Sequence, residues 1–377
     1  MTQLLLGGRV WRTTHEFWEN CPILLCDGRI IAVGESALES TSDAVRDISG
    51  MTVLPGLVDV HTHGRSGFDF NLATTGQMKA MKEDYARHGV TSVFATLASA
   101  TKEEWRVSVD SIVESGYEGV HFEGRYLNPA KRGAHAERLL VPLDANDLAD
   151  TLRDIPIPCH VSAALELDGD GSFAQKAIEM GATLALGHTN ATAAEARLAL
   201  ERGATAFTHL YNCMPPLHHR MGGAVSVALT GNAYGELIAD GIHICPEMIA
   251  LGYRCLGKDK TVLITDSMSA TGCPDGEYSI AGMPVVVKNG KALTVEGALA
   301  GSTLNLWDGV RNLMAFANVP LSDAIAAATV NPARMVGIDD LVGSIDPGKR
   351  ADLLFVNDKT ELCEVLYQGR SVMAENQ

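Results

Sequence analysis

The stretch Leu54-Pro55-Gly56-Leu57-Val58-Asp59-Val60-His61-Thr62-His63-Gly64 decides how the chain folds and where its chemistry lies. An apolar, β-branched run ends in two histidines one residue apart, and a glycine follows at once. Alternate side chains of a strand share one face, so His61 and His63 are predicted to point the same way where the strand meets a loop. Two neutral imidazoles on one backbone supply half of a metal site. Taken alone, such a pair is more often two ordinary surface histidines.

Length and composition limit the class of protein. The chain has 377 residues, of which 46% are hydrophobic and 20% charged, so it can bury a large core, and we expect one large domain and a small one. The formal net charge of -16 repels polyanions, which argues against a nucleic acid or an acidic membrane as partner. A small anionic substrate is still allowed where local cations serve it.

Cysteine usage and hydropathy indicate the compartment. The eight cysteines are scattered, without a Cys-x-x-Cys pair or a signal peptide ahead of them. We therefore expect a reduced, cytoplasmic protein without a disulfide framework. No run approaches the roughly 18 uninterrupted apolar residues of a transmembrane helix, so no membrane span is expected.

Both ends of the chain have the pattern of short β-strands. Apolar runs lie within residues 4–10 and 23–34, and Asp27-Gly28 in the second segment is a hairpin signal. The same pattern returns in residues 351–369. We therefore expect a small β-sandwich domain built from both chain ends. The expected division is residues 1–53 and 343–377 for the small domain and residues 54–342 for the central one.

The middle of the chain alternates between β-rich runs and helical patterns, the latter clear in residues 74–88 and 192–202. About eight β/α units fit into roughly 280 residues, as a (β/α)8 TIM-like barrel of class α/β requires. A doubly wound open sheet is the competing architecture, but no glycine-rich phosphate loop follows the first strand. The predicted strands span residues 57–63, 91–97, 119–123, 158–165, 183–188, 205–210, 236–240 and 261–266.

Residues that commonly bind metals recur where the predicted strands end. Glu123 ends the third strand, and His188 and His209 each follow an apolar run, 21 positions apart. The carboxyl ends of the strands of a parallel barrel meet at one mouth, where such enzymes keep their active sites. A lone histidine after an apolar run is more often a core or turn residue, but five ligand-type residues at one rim are hard to assign to chance. The predicted metal ligands are Glu123, His188, His209, His61 and His63.

The residue types indicate the chemistry. Neutral imidazole and carboxylate oxygen suit Zn(II), Fe(II) and related divalent ions, and an open position binds water. Such a metal lowers the pKa of water from ~15.7 to ~7 and polarises a carbonyl oxygen. A nearby carboxylate must then take the proton of the water and return it to the leaving group. Asp266, at the end of the eighth predicted strand, is the candidate for this role, although an N-cap for the following segment explains it equally well by itself.

With these residues in place, the chain resembles the amidohydrolase superfamily and, within it, the N-acetylglucosamine-6-phosphate deacetylase family. The resemblance covers essentially the whole chain. Its most telling feature is the glutamate on the third strand, where many relatives use a modified lysine on the fourth. The motifs that carry it are Pro55-Gly56-Leu57-Val58-Asp59, His121-Phe122-Glu123-Gly124, Lys131-Arg132-Gly133-Ala134-His135, Gly187-His188-Thr189, Thr208-His209-Leu210-Tyr211-Asn212, Ala239-Asp240-Gly241-Ile242-His243, Thr265-Asp266, Leu299-Ala300-Gly301-Ser302, Asn331-Pro332-Ala333-Arg334 and Gly343-Ser344-Ile345-Asp346-Pro347-Gly348-Lys349-Arg350-Ala351-Asp352.

This resemblance implies a cytoplasmic enzyme that removes acetate from N-acetylglucosamine 6-phosphate and leaves glucosamine 6-phosphate. It implies that Asp266 is the general acid/base and that the main ion is held by Glu123, His188 and His209. Because His61 and His63 are both present, one or two ions per chain are implied, with Glu123 bridging if there are two. Zinc is the expected metal, with iron, manganese, cobalt and cadmium as alternatives. The family also implies a homodimer, in which a neighbouring chain reaches the phosphate.

The same resemblance places a set of residues around the bound sugar phosphate. His135 is expected to contact the sugar, and Arg220 and His243 supply positive charge, since a guanidinium can bind phosphate through two hydrogen bonds. A solvated surface arginine and a structural histidine are the alternatives. Gly301 allows a close backbone approach to the ligand. The predicted substrate-binding residues are Ala134, His135, Asn212, Cys213, Arg220, His243, Leu299, Ala300 and Gly301.

Three departures from the family pattern bear on substrate preference. Arg125 replaces the usual proline after the Glu-Gly pair, Cys213 stands where alanine or glycine is usual, and Met221-Gly222-Gly223 replaces a Glu-Pro-Gly run. We expect them to change preference or turnover and to leave the reaction type intact. The nearer alternative is a deacetylase or amidase of a related N-acyl sugar phosphate such as N-acetylgalactosamine 6-phosphate. The remote alternative is a non-catalytic barrel scaffold, against which the retained ligands argue.

Overall fold

A computed structural model describes residues 1–372. Its strands are β1 (Thr2–Leu6), β2 (Arg9–Arg12), β3 (Glu16–Trp18), β4 (Ile23–Cys26), β5 (Arg29–Val33), β6 (Ala44–Asp47), β7 (Thr52–Pro55), β8 (Leu57–Thr62), β9 (Gly64–Arg65), β10 (Phe68–Asp69), β11 (Val90–Ala98), β12 (Gly119–Glu123), β13 (Cys159–Ala163), β14 (Thr183–Leu186), β15 (Ala206–Phe207), β16 (Tyr234–Ile238), β17 (Thr261–Ile264), β18 (Gly276–Ile280), β19 (Met283–Lys288), β20 (Lys291–Thr294), β21 (Leu353–Val356), β22 (Leu362–Tyr367) and β23 (Arg370–Ser371). Its helices are α1 (Thr75–Arg87), α2 (Lys102–Glu114), α3 (Ala145–Leu152), α4 (Ser172–Glu179), α5 (Ala193–Glu201), α6 (Ala224–Thr230), α7 (Pro246–Leu256), α8 (Leu306–Ala317), α9 (Leu321–Ala324) and α10 (Val330–Met335). Within these residues the cysteines form no disulfide, and no helix combines the length and apolar character needed to cross a membrane.

The central sheet has eight parallel strands in the order β8, β11, β12, β13, β14, β15, β16, β17, so each strand pairs with its neighbour along the chain. The last strand returns to the first at the mouth. The backbone N–H of Asp266 donates to the carbonyl oxygen of His61 at 2.8 Å, and the N–H of His63 donates to the carbonyl oxygen of Ser267 at 2.7 Å. These bonds close the sheet and confirm the predicted (β/α)8 TIM-like barrel.

Strand β8 contains one extra residue opposite the Val93–Ala95 part of β11, and an opposite irregularity between Val90 and Ser92 offsets it over the whole pair. Asp59 is level with Val93 and Thr62 with Ala95, so three steps along β8 match two along β11, as in a β-bulge. An apolar cluster inside the barrel takes residues from β8, β11, β14, β15, β16 and β17: Val58, Val60, Phe94, Ala185, Ala206, Ile238, Val262 and Ile264. Because of the bulge, Val60 packs in this cluster while the next residue, His61, also faces inward. Consecutive side chains of a regular strand alternate between its two faces, so the sequence pattern alone does not predict that both Val60 and His61 face inward.

Two smaller sheets contain the ends of the described chain. A four-stranded sheet has the order β5-β4-β1-β6, and a six-stranded sheet, β23-β22-β21-β7-β2-β3, mixes strands from both ends. One apolar cluster joins them, so they form the predicted sandwich; it includes Leu5, Val10, Ile23, Leu25, Ile30, Val53, Leu353, Phe355 and Leu366. Residues 373–377 of the predicted C-terminal part lie outside the described residues, and the domain limits at 53 and 342 stay a prediction.

Arg350 joins the C-terminal strands to the barrel. Its guanidinium donates to Glu118 Oε1 at 2.6 Å, to Asp352 Oδ2 at 2.5 Å and to the carbonyl oxygen of Thr91 at 2.9 Å. A largely buried charge is stable only when such partners surround it. The role of Arg350 in the 343–352 motif is therefore architectural, since this residue holds the sandwich against β11.

A three-stranded antiparallel extension, β18-β19-β20, follows the last barrel strand. The sequence prediction omitted it, although Asn289-Gly290 between β19 and β20 is a strong hairpin signal. The extension packs against the loops after β17 through an apolar cluster that includes Met268, Val285 and Ala300. It therefore lies beside the mouth of the barrel.

Gly56, between β7 and β8, lies where the sandwich meets the barrel, and a methyl group does not fit there. A Cβ on Gly56 would lie 2.0 Å from Thr91 Oγ1 and 3.0 Å from Asp352 Cβ. We expect Gly56→Ala to lower the free energy of unfolding by about 1–3 kcal/mol, because Thr91 is buried and cannot yield. Urea unfolding followed by circular dichroism would measure it. The control is Gly76→Ala on α1, where a Cβ meets nothing within 4 Å and should stabilise by about 0.5–1 kcal/mol. Equal midpoints for the two variants would contradict the tight junction.

Candidate metal centre and substrate cavity

The carboxylate of Glu123 occupies the centre of the barrel mouth. Its Oε1 lies 3.1 Å from His188 Nε2, 2.9 Å from His209 Nε2 and 3.4 Å from His61 Nε2, and its Oε2 lies 2.9 Å from His63 Nε2. Glu123 and these imidazoles are all buried. A buried carboxylate is stable only when positive charge or hydrogen-bond donors surround it. The structure thus brings the five predicted ligands together around one negative charge.

Asp266, two residues after the end of β17, lies on the side of His61 and His63. Its Oδ1 is 3.3 Å from His63 Nε2 and 3.6 Å from His61 Nε2. One ligand atom from each of His61, His63, Glu123 and Asp266 lies within 4.8 Å of the others, and the same holds for Glu123, His135 and His188. Asp266 is therefore close enough to share a bound ion or water with the histidine pair.

The donor set fits a divalent metal ion. Among the described residues, His61 Nε2 is buried without a hydrogen-bond partner, and it faces Glu123 and Asp266. His188 Nδ1 lies 2.9 Å from the carbonyl oxygen of Lys131, so this nitrogen keeps its proton, and Nε2, which faces Glu123, is the nitrogen that would bind a metal after losing its proton. Imidazole nitrogens and carboxylate oxygens converging in this way are typical ligands of divalent metals.

The electrostatics of the site support the same conclusion. Burial opposes the ionisation of Glu123, but the charge of His61 and hydrogen bonds from His188 and His209 lower its pKa well below the ordinary value. Burial alone would lower the pKa of His63, but Asp266 and Glu123 raise it to about 9. At neutral pH the carboxylates of Glu123 and Asp266 are therefore ionised, and imidazoles beside them carry protons. A metal ion that binds between these groups must displace those protons.

Three of these residues have left-handed backbone conformations. His188, His209 and Asp266, which follow β14, β15 and β17, have φ of 46°, 31° and 48°. Non-glycine residues in this region cost of order 1 kcal/mol or more, and such strain clusters at functional sites. The turn ends each strand earlier than the sequence predicts, so that β15 is only Ala206–Phe207 rather than residues 205–210. It also places each side chain at the mouth.

A cavity of about 220 Å³ opens over the metal centre. Its walls include His63, Glu123, His188, His209 and Asp266, so the candidate metal centre forms its floor. The predicted substrate-binding residues on its walls are Ala134, His135, Asn212, Cys213, His243, Leu299, Ala300 and Gly301. The remaining wall residues were not predicted: Ala98, Gly133, Ile280, Met283 and Ala298. Of these, Ile280 and Met283 come from the β18-β19-β20 extension. The Asn289-Gly290 turn was the sequence signal that could have predicted this extension.

His135 is held as a hydrogen-bond donor to the cavity. Its Nδ1 accepts from the backbone N–H of Ser99 at 3.3 Å and lies 2.9 Å from Ser99 Oγ. Burial lowers the pKa of His135 to about 3, so the ring is neutral and its proton is on Nε2. This tautomer donates a hydrogen bond to a ligand oxygen and has no Nε2 lone pair to offer a metal.

Arg220 and Arg125 do not reach the cavity of their own chain. Arg220 is exposed, and in the described part of the chain no cavity-lining residue is a lysine or arginine. The guanidinium of Arg125 lies 3.4 Å from Asp147 Oδ2 and over the ring of Trp105, on helices α3 and α2. The φ of Arg125 is 58°, a left-handed value that proline, the residue expected at this position, cannot adopt.

Comparison with known proteins identifies the family of this chain. The sequence profile of the amidohydrolase family matches residues 52–373. An N-acetylglucosamine-6-phosphate deacetylase of Vibrio furnissii is 33% identical over 378 residues, which cover 97% of this chain and 94% of the relative. An N-acetylgalactosamine-6-phosphate deacetylase of Escherichia coli O157:H7 is 33% identical over 384 residues, which cover 98% and 99%. A solved mutant N-acetyl-D-glucosamine-6-phosphate deacetylase from Mycobacterium smegmatis, in complex with N-acetyl-D-glucosamine-6-phosphate, superimposes with a TM-score of 0.91 at 30% identity, covering 99% of this chain and 100% of that one. As its motifs predict, the chain belongs to the amidohydrolase family.

Proposed function

We propose that this chain is a metal-dependent deacetylase that hydrolyses N-acetylglucosamine 6-phosphate to glucosamine 6-phosphate and acetate. One observation carries the proposal: Glu123 lies between His188 and His209 on one side and His63 on the other, with Asp266 beside it, on the floor of a small cavity. The relatives that cover nearly the whole chain and bear the name of this enzyme support it.

The metal ligands are assigned by position. Glu123, His188 and His209 hold the main ion, and His61 and His63 hold a second when two are bound. Zinc fits imidazole and carboxylate ligands, with iron, manganese, cobalt and cadmium as alternatives. A divalent ion bound there supplies hydroxide at neutral pH and polarises the acetamide carbonyl.

Asp266 moves the proton in this reaction. Its ionised carboxylate takes one proton from the attacking water, and the new carbon–oxygen bond forms at the acetyl carbon. Asp266 then gives the proton to the amide nitrogen as the carbon–nitrogen bond breaks, so acetic acid and the free amine form. The remaining proton of the acid passes to the amine, which leaves acetate and the ammonium form of glucosamine 6-phosphate. His135 donates its Nε2–H to an oxygen of the bound sugar, which orients the acetamide group.

The phosphate needs cations that the cavity of one chain only partly supplies. Burial would lower the pKa of His243, but its hydrogen bond to Asp240 raises it above the ordinary value, so this residue contributes positive charge. We propose a cytoplasmic homodimer in which Arg220 of one chain reaches the phosphate bound by the other. A guanidinium on an exposed loop suits this role.

Asp266→Asn should abolish most of the activity. We expect acetate release from N-acetylglucosamine 6-phosphate to fall about 10²–10⁴-fold, because the amide cannot carry the proton. Acetate and metal content would be measured on the same samples. The metal bound by Glu123, His188 and His209 should remain. Full activity in Asp266→Asn would remove Asp266 from the mechanism, and an inactive, fully metallated wild type would show that the substrate is wrong.

The galacto epimer is the second candidate substrate, since a relative named for it is as similar to this chain as one named for the gluco compound. The epimers differ in one hydroxyl group. We expect kcat/KM to be at least about 10-fold higher for the gluco epimer, because a site that hydrogen-bonds one hydroxyl leaves polar groups unpaired with the other. Parallel assays on both phosphorylated sugars would measure this ratio, and a ratio below one would make the galacto epimer the substrate.

Arg220→Ala should raise the KM for the phosphorylated substrate and leave kcat nearly unchanged. A hydrogen bond to a charged group contributes about 1.5–3 kcal/mol, which corresponds to roughly 10–100-fold in KM. The matched control is Arg197→Ala, an exposed arginine on α5, which should behave as wild type. Sedimentation would establish the oligomeric state. A monomeric active enzyme, or an unchanged KM, would contradict the phosphate role of Arg220.

A further inference from the structure

A layer of polar side chains lies inside the barrel beneath the metal centre. His121 on β12, His160 on β13 and Glu236 on β16 are completely buried. The mechanism above uses none of them, and no sequence motif singled out His160 or Glu236. A buried carboxylate is costly, so its contacts indicate what it does.

Glu236 contacts two of the candidate metal ligands through one oxygen. Its Oε2 lies 3.1 Å from Nδ1 of His61 and accepts the backbone N–H of His209 at 3.1 Å. An ionised carboxylate can only accept hydrogen bonds, so Nδ1 of His61 must carry the proton. When the ring is neutral, as a metal ligand must be, its lone pair is therefore on Nε2.

The free nitrogen of His61 faces the metal centre. Nε2 lies 3.4 Å from Glu123 Oε1 and 3.6 Å from Asp266 Oδ1, and it has no hydrogen-bond partner among the described residues. A histidine held by a carboxylate on one nitrogen, with its other nitrogen free, is the arrangement that raises ligand basicity in metal sites.

The second oxygen of Glu236 faces His160. Oε1 lies 3.7 Å from His160 Nε2, and His160 Nδ1 lies 2.8 Å from Thr183 Oγ1. His121 is occupied elsewhere, since its nitrogens lie 3.1 Å from Thr96 Oγ1 and 2.7 Å from Ser162 Oγ. The 3.7 Å separation is too long for a hydrogen bond, and Glu236 Oε1 and His160 Nε2 have no hydrogen-bond partner among the described residues. Glu236 is therefore held through its Oε2, by His61 and His209.

We infer that Glu236 is a positioning residue, which fixes the tautomer and orientation of His61 for a metal ion on the His61 and His63 side. The inference rests on the proposed metal centre and adds that the second ion position, at the barrel mouth, is supported from the barrel interior by Glu236. It does not depend on which sugar is the substrate.

The test is the affinity of purified protein for Zn²⁺, measured by titration against a competing chelator without substrate. We expect Glu236→Gln to weaken one of two Zn²⁺ sites by about 10–100-fold and to leave the other unchanged, because outer-shell partners of metal-bound histidines have effects of this size. The visible spectrum of the Co²⁺-loaded protein should lose the contribution of that site. Two sites with wild-type affinity in E236Q, or a single wild-type site that the substitution leaves unchanged, would overturn the inference.

Thermal unfolding separates a positioning role from simple packing. A packing role would lower the midpoint of metal-free and Zn²⁺-loaded protein equally, whereas a positioning role reduces the rise that Zn²⁺ produces. The matched control is Ser162→Ala, a buried polar residue of the same layer that contacts His121 and Thr208. This control should keep wild-type Zn²⁺ affinity.

A second variant covers the case in which Glu236→Gln does not fold. Replacing both His160 and Glu236 by leucine removes the buried charge together with the imidazole that faces its second oxygen, and such joint replacements often preserve stability. The double variant should show the same loss at one Zn²⁺ site. If the wild type and E236Q bound Zn²⁺ as expected but the wild type released no acetate, the proposed function would fail and the role of Glu236 would stand. If the wild type released acetate but E236Q kept both Zn²⁺ affinities, the proposed function would stand and the role of Glu236 would fail.

Discussion

The ionised carboxylate of Glu123, buried at the mouth of the barrel, is the constraint on which the rest of the site depends. A charge without access to water is tolerated only when donors or a cation surround it. Its neighbours His61, His63, His188 and His209 come from the ends of three different strands. The carboxylate is therefore compensated only when the barrel has closed, and fold and metal centre stabilise one another.

Barrel closure and ligand placement use the same backbone groups. The hydrogen bonds between the first and last strands involve His61, His63 and Asp266 themselves, at 2.7 and 2.8 Å. These residues therefore cannot shift without opening the sheet. The bulge in β8 and the left-handed φ values at the strand ends are local costs that this closed frame sustains. Such a frame holds ligand atoms in place before a metal arrives, which favours binding.

The chemistry and the specificity lie in different parts of the chain. Strand ends supply the metal centre, whereas loops and the β18-β19-β20 extension form much of the cavity wall. Relatives with the same barrel can therefore act on different sugars by changing loops. This explains why deacetylases named for two epimers are equally similar to this chain. It also explains why Arg125, directed at α2 and α3, can differ from the family without disturbing the floor of the cavity.

The sequence by itself determined the barrel and the residues at its mouth. Hydrophobic runs at regular intervals predict parallel strands, and Glu123, His188, His209 and Asp266 end such runs, so the common direction of the strands brings them together. The tertiary structure alone decided the bulge beside His61, the left-handed turns, the exposure of Arg220 and the contact of Glu236 with His61. Glu236 and His61 are 175 positions apart, and a buried glutamate in an apolar run gives no sign of its partner. Periodicity records which face a residue takes, but contacts between distant strands depend on register, which only the closed barrel sets.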